Sequence, residues 1–379
     1  MKAAYVTTYD SSDLHAWSGL GYHIGRCLEL GGVTIERVGP LMRRVRPRAR
    51  LRQIEAKLRG RAYALDRDPL VARAYASQVE KRLDSMACNL VFSPGTSAIA
   101  HLNSNHPVAF WADATFGAMV GFYPGFDVLS DAAIEAGYAL EATALQRADV
   151  AFYASAWAAR SAIDDHGADP AKVEVMPFGA NMSIEHGRDD VVELVGGRAS
   201  DRCRLLFVGV DWARKGGDKA VDVARVLNER GLPTEIDVVG SAPADPGTLP
   251  PYVRLHGFVD QATAGGAALL RDLYASAHVL IHPATAECFG VVFCEAAAHG
   301  VLSAAARVGG IPSAVHDGVT GSLFDVAASA EEYADYVWEL LDDRGRYERA
   351  AMAAFDEYQR ALSWEAQAPK VAHRLGTIV

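Results

Sequence analysis

The segment of this sequence best suited to chemistry lies between two glutamates that are eight residues apart. Glu287 and Glu295 are separated by the apolar run Cys-Phe-Gly-Val-Val-Phe-Cys. Residues 279–281 before them predict a buried strand, and the alanines after Glu295 predict the rest of a helix that stops at Gly300. We therefore expect Glu287 in a strand-to-helix loop and Glu295 about a turn and a half into the helix.

The start of that helix is predicted to form an anion site. Gly290 and Val291 fall at its first positions, where backbone N–H groups have no acceptor within the helix. The flanking carboxylates accept hydrogen bonds from hydroxyl groups. The segment thus indicates a ligand with both phosphate and hydroxyls, such as a nucleotide sugar.

Two adjacent cations follow another predicted strand. Arg214 and Lys215 come after the strand predicted at 205–210 and before Gly216, Gly217 and a helix. Ligands of open α/β sheets bind at the carboxyl ends of strands, and Arg and Lys both suit a diphosphate. The pair is either such a site or an exposed, solvated pair.

The loop after the first predicted strand contains two glycines. Gly19 and Gly21 would let the backbone approach a ligand closely. Glycine spacing alone is a weak signal, however, and a plain turn with a helix cap explains it as well.

Short apolar runs alternate with helical patterns along the whole chain. We predict strands at 3–8, 33–38, 90–93, 108–111, 150–154, 173–176, 205–210, 235–239, 253–256, 279–282, 302–305 and 322–324. Helices are predicted at 19–31, 49–59, 69–87, 131–148, 157–167, 217–230, 263–276, 291–299, 330–342 and 345–378, the last interrupted near Ser363. Such alternation is typical of parallel sheets covered on both faces, here in two doubly wound domains joined between residues 180 and 200.

Composition places the chain among soluble globular proteins. It has 379 residues, half of them hydrophobic and 22% charged. Its five cysteines are scattered without a CxxC pair, which argues against a disulfide framework or a zinc site. The sequence shows neither a signal-peptide pattern nor an apolar run of membrane-spanning length. A cytoplasmic location is the default expectation.

One strongly basic segment stands out within residues 1–180, which as a whole have no net charge. It runs from Arg43 to Arg61, and only Glu55 opposes its cations. Residues 51, 54 and 58, which are Leu, Ile and Leu, fall on one helical face that the cations surround. The segment is interpreted either as a basic helix that contacts anionic lipid or an anionic acceptor, or as a packed helix with a solvated outer face. No nucleic-acid partner is expected.

Several motifs occur in a familiar order. They are Phe207-Val-Gly209, Arg214-Lys215-Gly216, Gly257-Phe258, Glu287-x7-Glu295, Gly309-Gly310-Ile-Pro312 and Asp317-Gly318-x-x-Gly321, with Pro177-x-Gly179 before them and Trp364 after them. Together they resemble the retaining GT-B glycosyltransferases of the GT4 family. The resemblance covers nearly the whole chain, and it is most specific over residues 204–325.

The resemblance implies an α/β fold of the GT-B type. Two Rossmann-like, doubly wound domains would face each other across a cleft, and the C-terminal helix would return to the N-terminal domain. We predict an acceptor-side domain at 1–183 plus 361–379 and a donor-binding domain at 184–360.

The resemblance also implies roles for particular residues. Glu295 would hold the ribose, Glu287 would accept hydrogen bonds from the transferred sugar, and Arg214 and Lys215 would neutralise the diphosphate. The remaining predicted donor-binding residues are Gly19 and Gly209, Phe258 and Val259 at the base, and Phe289, Gly290, Val291 and Val292 at the helix start.

The implied reaction moves a hexose from a UDP- or GDP-sugar to a glycan or glycolipid hydroxyl, as in polysaccharide biosynthesis. No metal and no cofactor beyond the nucleotide sugar is expected, because Arg214 and Lys215 would supply the positive charge. The alternatives are a catalytically silent nucleotide- or partner-binding subunit and another GT-B enzyme such as a nucleotide-sugar epimerase. The enzyme is expected in the cytoplasm, with possible peripheral contact at the inner membrane face.

The sequence departs from the family at one position. Members often carry a His after the fourth strand, near the sugar, where this chain has Asp113. Asp113 would bind a sugar hydroxyl or stabilise a cationic ring. The alternative is that it caps a turn or helix at Thr115 and Phe116.

Overall fold

Twelve strands form two parallel sheets in the computed structural model, which describes residues 1–379. The first sheet contains β1 (Lys2–Val6), β2 (Thr34–Val38), β3 (Leu90–Ser93), β4 (Val108–Ala112), β5 (Val150–Tyr153) and β6 (Val173–Val175). The second contains β7 (Cys203–Val208), β8 (Thr234–Val239), β9 (Val253–Gly257), β10 (Val279–His282), β11 (Leu302–Ala306) and β12 (Gly321–Phe324). All twelve predicted strands are therefore present, with ends shifted by at most two residues.

Fifteen helices accompany the strands. Before β7 they are α1 (Leu20–Leu30), α2 (Pro47–Leu58), α3 (Pro69–Leu83), α4 (Phe116–Met119), α5 (Asp131–Arg147), α6 (Ala156–Asp164) and α7 (Arg188–Gly197). After β7 they are α8 (Trp212–Lys215), α9 (Gly217–Glu229), α10 (Ala264–Ser276), α11 (Val291–Ala298), α12 (Ile311–Ala314), α13 (Ala330–Asp342), α14 (Arg344–Ala361) and α15 (Trp364–Gly376). No helix combines the length and the apolar character that crossing a bilayer requires.

Local chemistry explains where these elements begin and why the strands lie inside. Strands β3, β4, β5 and β10 are buried along their whole length, as expected for parallel strands covered by helices on both faces. Side chains such as Ser130, Ser155 and Ser329 accept hydrogen bonds from backbone N–H groups three residues later, and so cap the first turns of α5, α6 and α13.

Each sheet has one point at which the strand order reverses. The first sheet runs β2-β1-β3-β4-β5-β6, and the second runs β12-β11-β10-β7-β8-β9. The reversals lie between β1 and β3 and between β7 and β10. Loops that leave the carboxyl ends of strands at such a point diverge and leave a crevice in which α/β proteins bind ligands.

The chain divides into two compact units. Unit 1 contains residues 1–177 and 367–379, and unit 2 contains residues 178–366. Both boundaries lie six residues from the predicted ones, because local packing holds the junctions in unit 2. The Phe178 ring packs at a tilt against Trp364 with ring centroids 5.8 Å apart, and the Trp364 indole N–H donates to the Ala180 carbonyl at 2.9 Å. The acceptor-side and donor-binding roles of the units remain predictions.

Four helices lie outside the predicted ones, namely α4, α7, α8 and α12. Residues 211–216 were expected to form a loop, but residues 212–215 form the one-turn helix α8. The polar junction near residue 190 contains α7, in which Val191 and Val195 are buried.

Candidate functional site

The reversal point of the second sheet brings three predicted residues together. Arg214 and Lys215 follow β7, and Glu287 follows β10. The Lys215 ammonium pairs with Glu287 Oε2, and Arg214 Nη1 lies 3.8 Å from the same oxygen. All three residues are at most 9% exposed. The interpretation of Arg214 and Lys215 as an exposed, solvated pair is therefore wrong.

The one-turn helix α8 sets the position of the two cations. Asp211 caps its start by accepting from the Arg214 backbone N–H at 3.1 Å, and its other oxygen accepts from Arg214 Nε at 3.2 Å. Arg214 Nη1 also donates to the Ala286 carbonyl at 2.9 Å. The Arg214 side chain thus links the loop after β7 to the loop after β10.

Two glycines provide the space that this arrangement needs. A β-carbon at Gly209 would lie 2.9 Å from Lys215 Cγ. Gly216 ends α8 with φ at +79°, and a β-carbon there would lie 2.3 Å from the Pro283 carbonyl oxygen. The predicted site residue Gly209 therefore packs against the Lys215 stem.

Electrostatics keep Glu287 ionised. Burial alone would raise the pKa of its carboxyl, but the adjacent Lys215 charge outweighs burial and holds this pKa well below its ordinary value. Glu287 and Asp211 together balance the charges of Arg214 and Lys215. The cluster is therefore internally neutral, and an anion that enters it must displace or share a carboxylate.

His282 is a fourth member of this cluster that sequence reasoning missed. It ends β10, is fully buried, and its Nε2 lies 3.5 Å from Glu287 Oε2, too far for a normal hydrogen bond. Burial, helped by the Lys215 charge, lowers the pKa of His282 to about 4, so the ring is neutral at pH 7. The sequence signal that could have indicated His282 is a polar residue at the end of the apolar run of β10.

Helix α11 begins beside this cluster, as predicted. Gly290 is its N-cap with φ at +88°, and a β-carbon there would lie 2.4 Å from the Phe293 ring. Val291 and Val292, whose backbone N–H groups have no acceptor within the helix, are partly exposed, so the first turn reaches the surface. Phe289 is buried, and its ring packs edge-to-face on the Phe178 ring with centroids 5.4 Å apart. Its side chain therefore contributes to packing, and its contact with the donor remains a prediction.

Glu295 lies apart from the cation cluster. It is buried in α11, and its Oε2 accepts from the Tyr274 hydroxyl at 2.8 Å. Burial raises the pKa of the Glu295 carboxyl, and hydrogen bonds from Tyr274 and the Asn181 backbone oppose that rise. Its role on a ribose remains a prediction.

The two residues predicted at the base follow the edge strand of the second sheet. Phe258 and Val259 come directly after β9, and the Phe258 side chain is exposed. An exposed aromatic ring at a strand end is suited to stacking on a base, and that role remains a prediction.

A separate cavity of about 220 Å³ lies in unit 1 at the ends of β1, β3 and β4. Asp113 lines it, and the Trp17 indole N–H donates to Asp113 Oδ2 at 3.3 Å. The helix cap nearby is Thr115, whose hydroxyl accepts from the Ala118 backbone N–H at 3.0 Å. The N-cap of α4 is therefore Thr115 and not Asp113, and the role of Asp113 on a sugar hydroxyl remains a prediction.

The loop beside this cavity has unusual backbone geometry. Trp17 and Ser18 have φ of 49° and 54°, and Gly19 follows with φ at 77°. Consecutive non-glycine residues in the left-handed region are uncommon, and such strain is concentrated at functional sites. The backbone geometry therefore indicates Trp17 and Ser18 as candidate site residues in addition to the predicted Gly19.

The expectation that Gly21 lets a ligand approach is wrong. A β-carbon there would lie 2.5 Å from the Tyr9 hydroxyl, so the Tyr9 ring fills that space. The Tyr9 hydroxyl is buried without a hydrogen-bond partner, and burial, together with the Asp113 charge, raises its pKa well above the ordinary value. Tyr9 is a second cavity residue that sequence reasoning missed.

Comparison with solved structures defines the class of fold. The chain aligns with sucrose-phosphate synthase from Thermosynechococcus elongatus at a TM-score of 0.71, with 16% identity over 100% of this chain and 98% of the other. It aligns with Anabaena HepE in complex with UDP-glucose at a TM-score of 0.64, with 15% identity over 100% of both chains. The fold is that of the GT-B glycosyltransferases, as predicted.

Sequence comparison adds a family similarity within unit 2. Residues 202–343 match the family model for glycosyl transferases group 1. Over these residues the chain is similar to that family, in agreement with the resemblance seen in its motifs.

Named relatives agree with the assignment. The D-inositol 3-phosphate glycosyltransferase of Mycolicibacterium smegmatis is 30% identical over 210 residues, covering 54% of this chain and 48% of the relative. That of Thermomonospora curvata is 32% identical over 233 residues, covering 55% and 52%. The chain spans about half the length of the curated relatives it matches.

Proposed function

We propose that this protein is a retaining glycosyltransferase that moves a hexose from a UDP- or GDP-sugar to a hydroxyl of a glycan or glycolipid, without a metal. The observation that carries the proposal is the buried cluster of Arg214, Lys215 and Glu287 at the reversal point of the second sheet. The match of residues 202–343 to the family model for glycosyl transferases group 1 supports it.

Charge development explains why these residues suit the reaction. Breaking the anomeric C–O bond to a diphosphate builds negative charge on the phosphate and positive charge on the sugar ring. Arg214, Lys215 and the first N–H groups of α11 stabilise that negative charge. Two fixed cations supply the neutralisation that a divalent metal would otherwise provide.

Donor binding rearranges the ion pairs of the cluster. Phosphate oxygens take over Lys215 as a partner, and the carboxylate of Glu287 becomes available for a sugar hydroxyl. Glu295 holds the ribose, and Phe258 with Val259 lines the base pocket. Asp113, in unit 1, accepts a hydrogen bond from a hydroxyl of the sugar or the acceptor.

Retention follows from attack on the face that the diphosphate leaves. The acceptor oxygen bonds to the anomeric carbon, the carbon–phosphate oxygen bond breaks, and a phosphate oxygen takes the hydroxyl proton. This reaction needs no double displacement, and Glu287 is engaged by a sugar hydroxyl in the donor complex.

A thermal-shift screen tests the donor site. A nucleotide that binds only the folded protein raises the melting temperature by mass action. We expect one of UDP, GDP or ADP, or one of their sugars, to stabilise the protein in EDTA. The shift should disappear in Arg214→Ala and persist in Arg202→Ala, which removes an exposed Arg paired with Asp201.

Turnover separates the enzyme from its alternatives. Without acceptor, we expect slow release of hexose from a labelled donor. With an acceptor, NMR of the transfer product should show the anomeric configuration of the donor. Binding without release would indicate a silent subunit, and conversion of the donor sugar to its epimer would indicate an epimerase. A requirement for added Mg²⁺ would overturn the metal-independent mechanism.

A further inference from the structure

Helix α2 presents its large apolar residues to solvent. Leu51, Ile54 and Leu58 are 64%, 47% and 83% exposed, while Ala49 and Ala56 are buried in unit 1. At about 100° per residue, the three large residues fall within an arc of roughly 60°, and the two alanines lie on the opposite side. The helix therefore packs through its small residues and leaves its apolar stripe, residues 51, 54 and 58, uncovered.

Cations flank this stripe on both sides. Arg48 lies on one flank and Lys57 on the other, and Arg44 and Arg46 directly precede the helix. All four are exposed, and none of them has an ion-pair partner. The region therefore combines uncovered apolar area with uncompensated positive charge.

The helix is also firmly attached to unit 1. Arg52 on its side pairs with Asp68 at 3.1 Å, and Asp68 is fully buried, accepts from the Tyr63 hydroxyl at 2.7 Å and caps α3. Arg43, just before the helix, pairs with Asp66 at 3.4 Å. The stripe is thus held outward by these contacts.

We infer that α2 docks on the surface of an anionic lipid bilayer, with the apolar stripe among the upper acyl chains and the flanking cations at the headgroups. Charge complementarity favours this occupant. A second copy of the chain would bring two sets of unpaired cations together, whereas anionic headgroups beside an apolar interior match both features. The inference does not depend on the proposed function, because vesicle binding needs neither donor nor acceptor.

Flotation with vesicles tests the stripe. We expect the protein to float with vesicles of 70% phosphatidylcholine and 30% phosphatidylglycerol and not with phosphatidylcholine alone. The triple variant Leu51→Ser, Ile54→Ser and Leu58→Ser should lose flotation. A matched triple, Leu30→Ser, Val192→Ser and Leu269→Ser, changes exposed apolar residues elsewhere and should float like wild type.

Charge reversal tests the cations. Each basic residue near an anionic surface strengthens binding about fivefold, so Arg48→Glu with Lys57→Glu should weaken vesicle binding at least about 25-fold. Reversal of two exposed cations on other helices, Arg160→Glu with Lys370→Glu, should have a much smaller effect.

Three results would overturn the inference. They are a wild-type protein that does not float, a triple serine variant that floats as wild type does, and a concentration-dependent dimer that the serine changes abolish, which would identify a second copy as the occupant. An unchanged melting temperature and unchanged donor hydrolysis show that the serine variant is folded. If neither the wild type nor any variant hydrolyses donor, the proposed function fails. The flotation result still tests vesicle binding, because that binding needs no donor.

Discussion

At the scale of single residues, the candidate donor site is neutral before any ligand arrives. Glu287 takes the place beside Lys215 that a phosphate oxygen would occupy, and Asp211 does the same for part of Arg214. Buried cations without such partners would be strongly destabilising. The carboxylates therefore keep two cations in place in the absence of donor.

Replacement of Glu287 by Gln separates stability from binding. Loss of the carboxylate leaves Lys215 without its buried partner, so we expect a loss of about 3–5 kcal/mol in the free energy of unfolding. Affinity for the nucleoside diphosphate should be equal or higher, because no carboxylate competes for Lys215, while sugar transfer should be lost. Denaturant unfolding, calorimetric titration and product assay measure the three quantities.

A matched change and a contrary result complete this test. Glu229→Gln removes an exposed carboxylate paired with Arg225 and should change none of the three quantities. Weaker nucleotide binding by Glu287→Gln would contradict the view that this carboxylate competes with phosphate.

Glu295 and Tyr274 offer a second test at this scale. Glu295→Ala should abolish nucleotide-induced stabilisation if the carboxylate holds the ribose. Tyr274→Phe removes only the hydroxyl that donates to Glu295, so it should lower stability by about 1 kcal/mol and retain nucleotide binding. Thermal shift with and without nucleotide measures both. Equal loss of binding in the two variants would show that Glu295 acts by supporting the fold.

At the scale of elements, the end of β7 and the short helix α8 act as one unit, because Gly209 leaves room for the Lys215 stem. In Gly209→Ala, the new methyl group meets Lys215 Cγ, so we expect a stability loss of about 1–3 kcal/mol and displacement of the Lys215 side chain. The dissociation constant for the nucleotide, measured by calorimetric titration, should rise at least tenfold.

The control for this change is Gly196→Ala in α7. No atom lies within 4 Å of the added methyl group there, and alanine should stabilise the helix by about 0.5–1 kcal/mol without changing nucleotide affinity. If Gly209→Ala binds nucleotide as tightly as Gly196→Ala does, the Lys215 position is not set by Gly209.

The elements also show what sequence reasoning can reach. Hydrophobic periodicity located every strand, and the rule that ligands bind at strand ends placed Arg214 and Glu287 at one edge before the strand order was known. Helix α8 was missed because four residues are too few to show a helical period. The contacts of His282 and Tyr9 were missed because they depend on partners distant in sequence, which residue patterns do not encode.

At the scale of the whole molecule, buried neutral histidines couple stability to pH. Burial is the main cause that lowers the pKa of His278 and of His282 to about 4 and of His299 to about 3. The contacts of His278 require a neutral ring, because its Nδ1 accepts from the Arg204 backbone N–H while its Nε2–H donates to the Ala199 carbonyl. In unit 1, burial also lowers the pKa of His101 and His166.

The sign of the resulting pH dependence follows from these directions. The unfolded chain takes up protons near pH 6.5 and the folded chain does so only near pH 4 or below, so stability is full above pH 6.5 and falls as the pH is lowered. The three histidines of unit 2 alone allow a slope of up to about 4 kcal/mol per pH unit. Glu287, whose pKa is lowered, contributes to the fall only below about pH 4.5.

Melting curves between pH 7.5 and 5 at constant ionic strength measure this effect. We expect little change above pH 6.5 and a steep fall in melting temperature below pH 6. His278→Gln should be less stable than wild type at pH 7.5 because it loses buried contacts. Its unfolding should take up about one proton fewer than that of the wild type, so its stability should fall less steeply as the pH is lowered. A wild-type melting temperature that stays constant from pH 7 to 5 would show that these histidines are protonated in the folded protein, contrary to their burial.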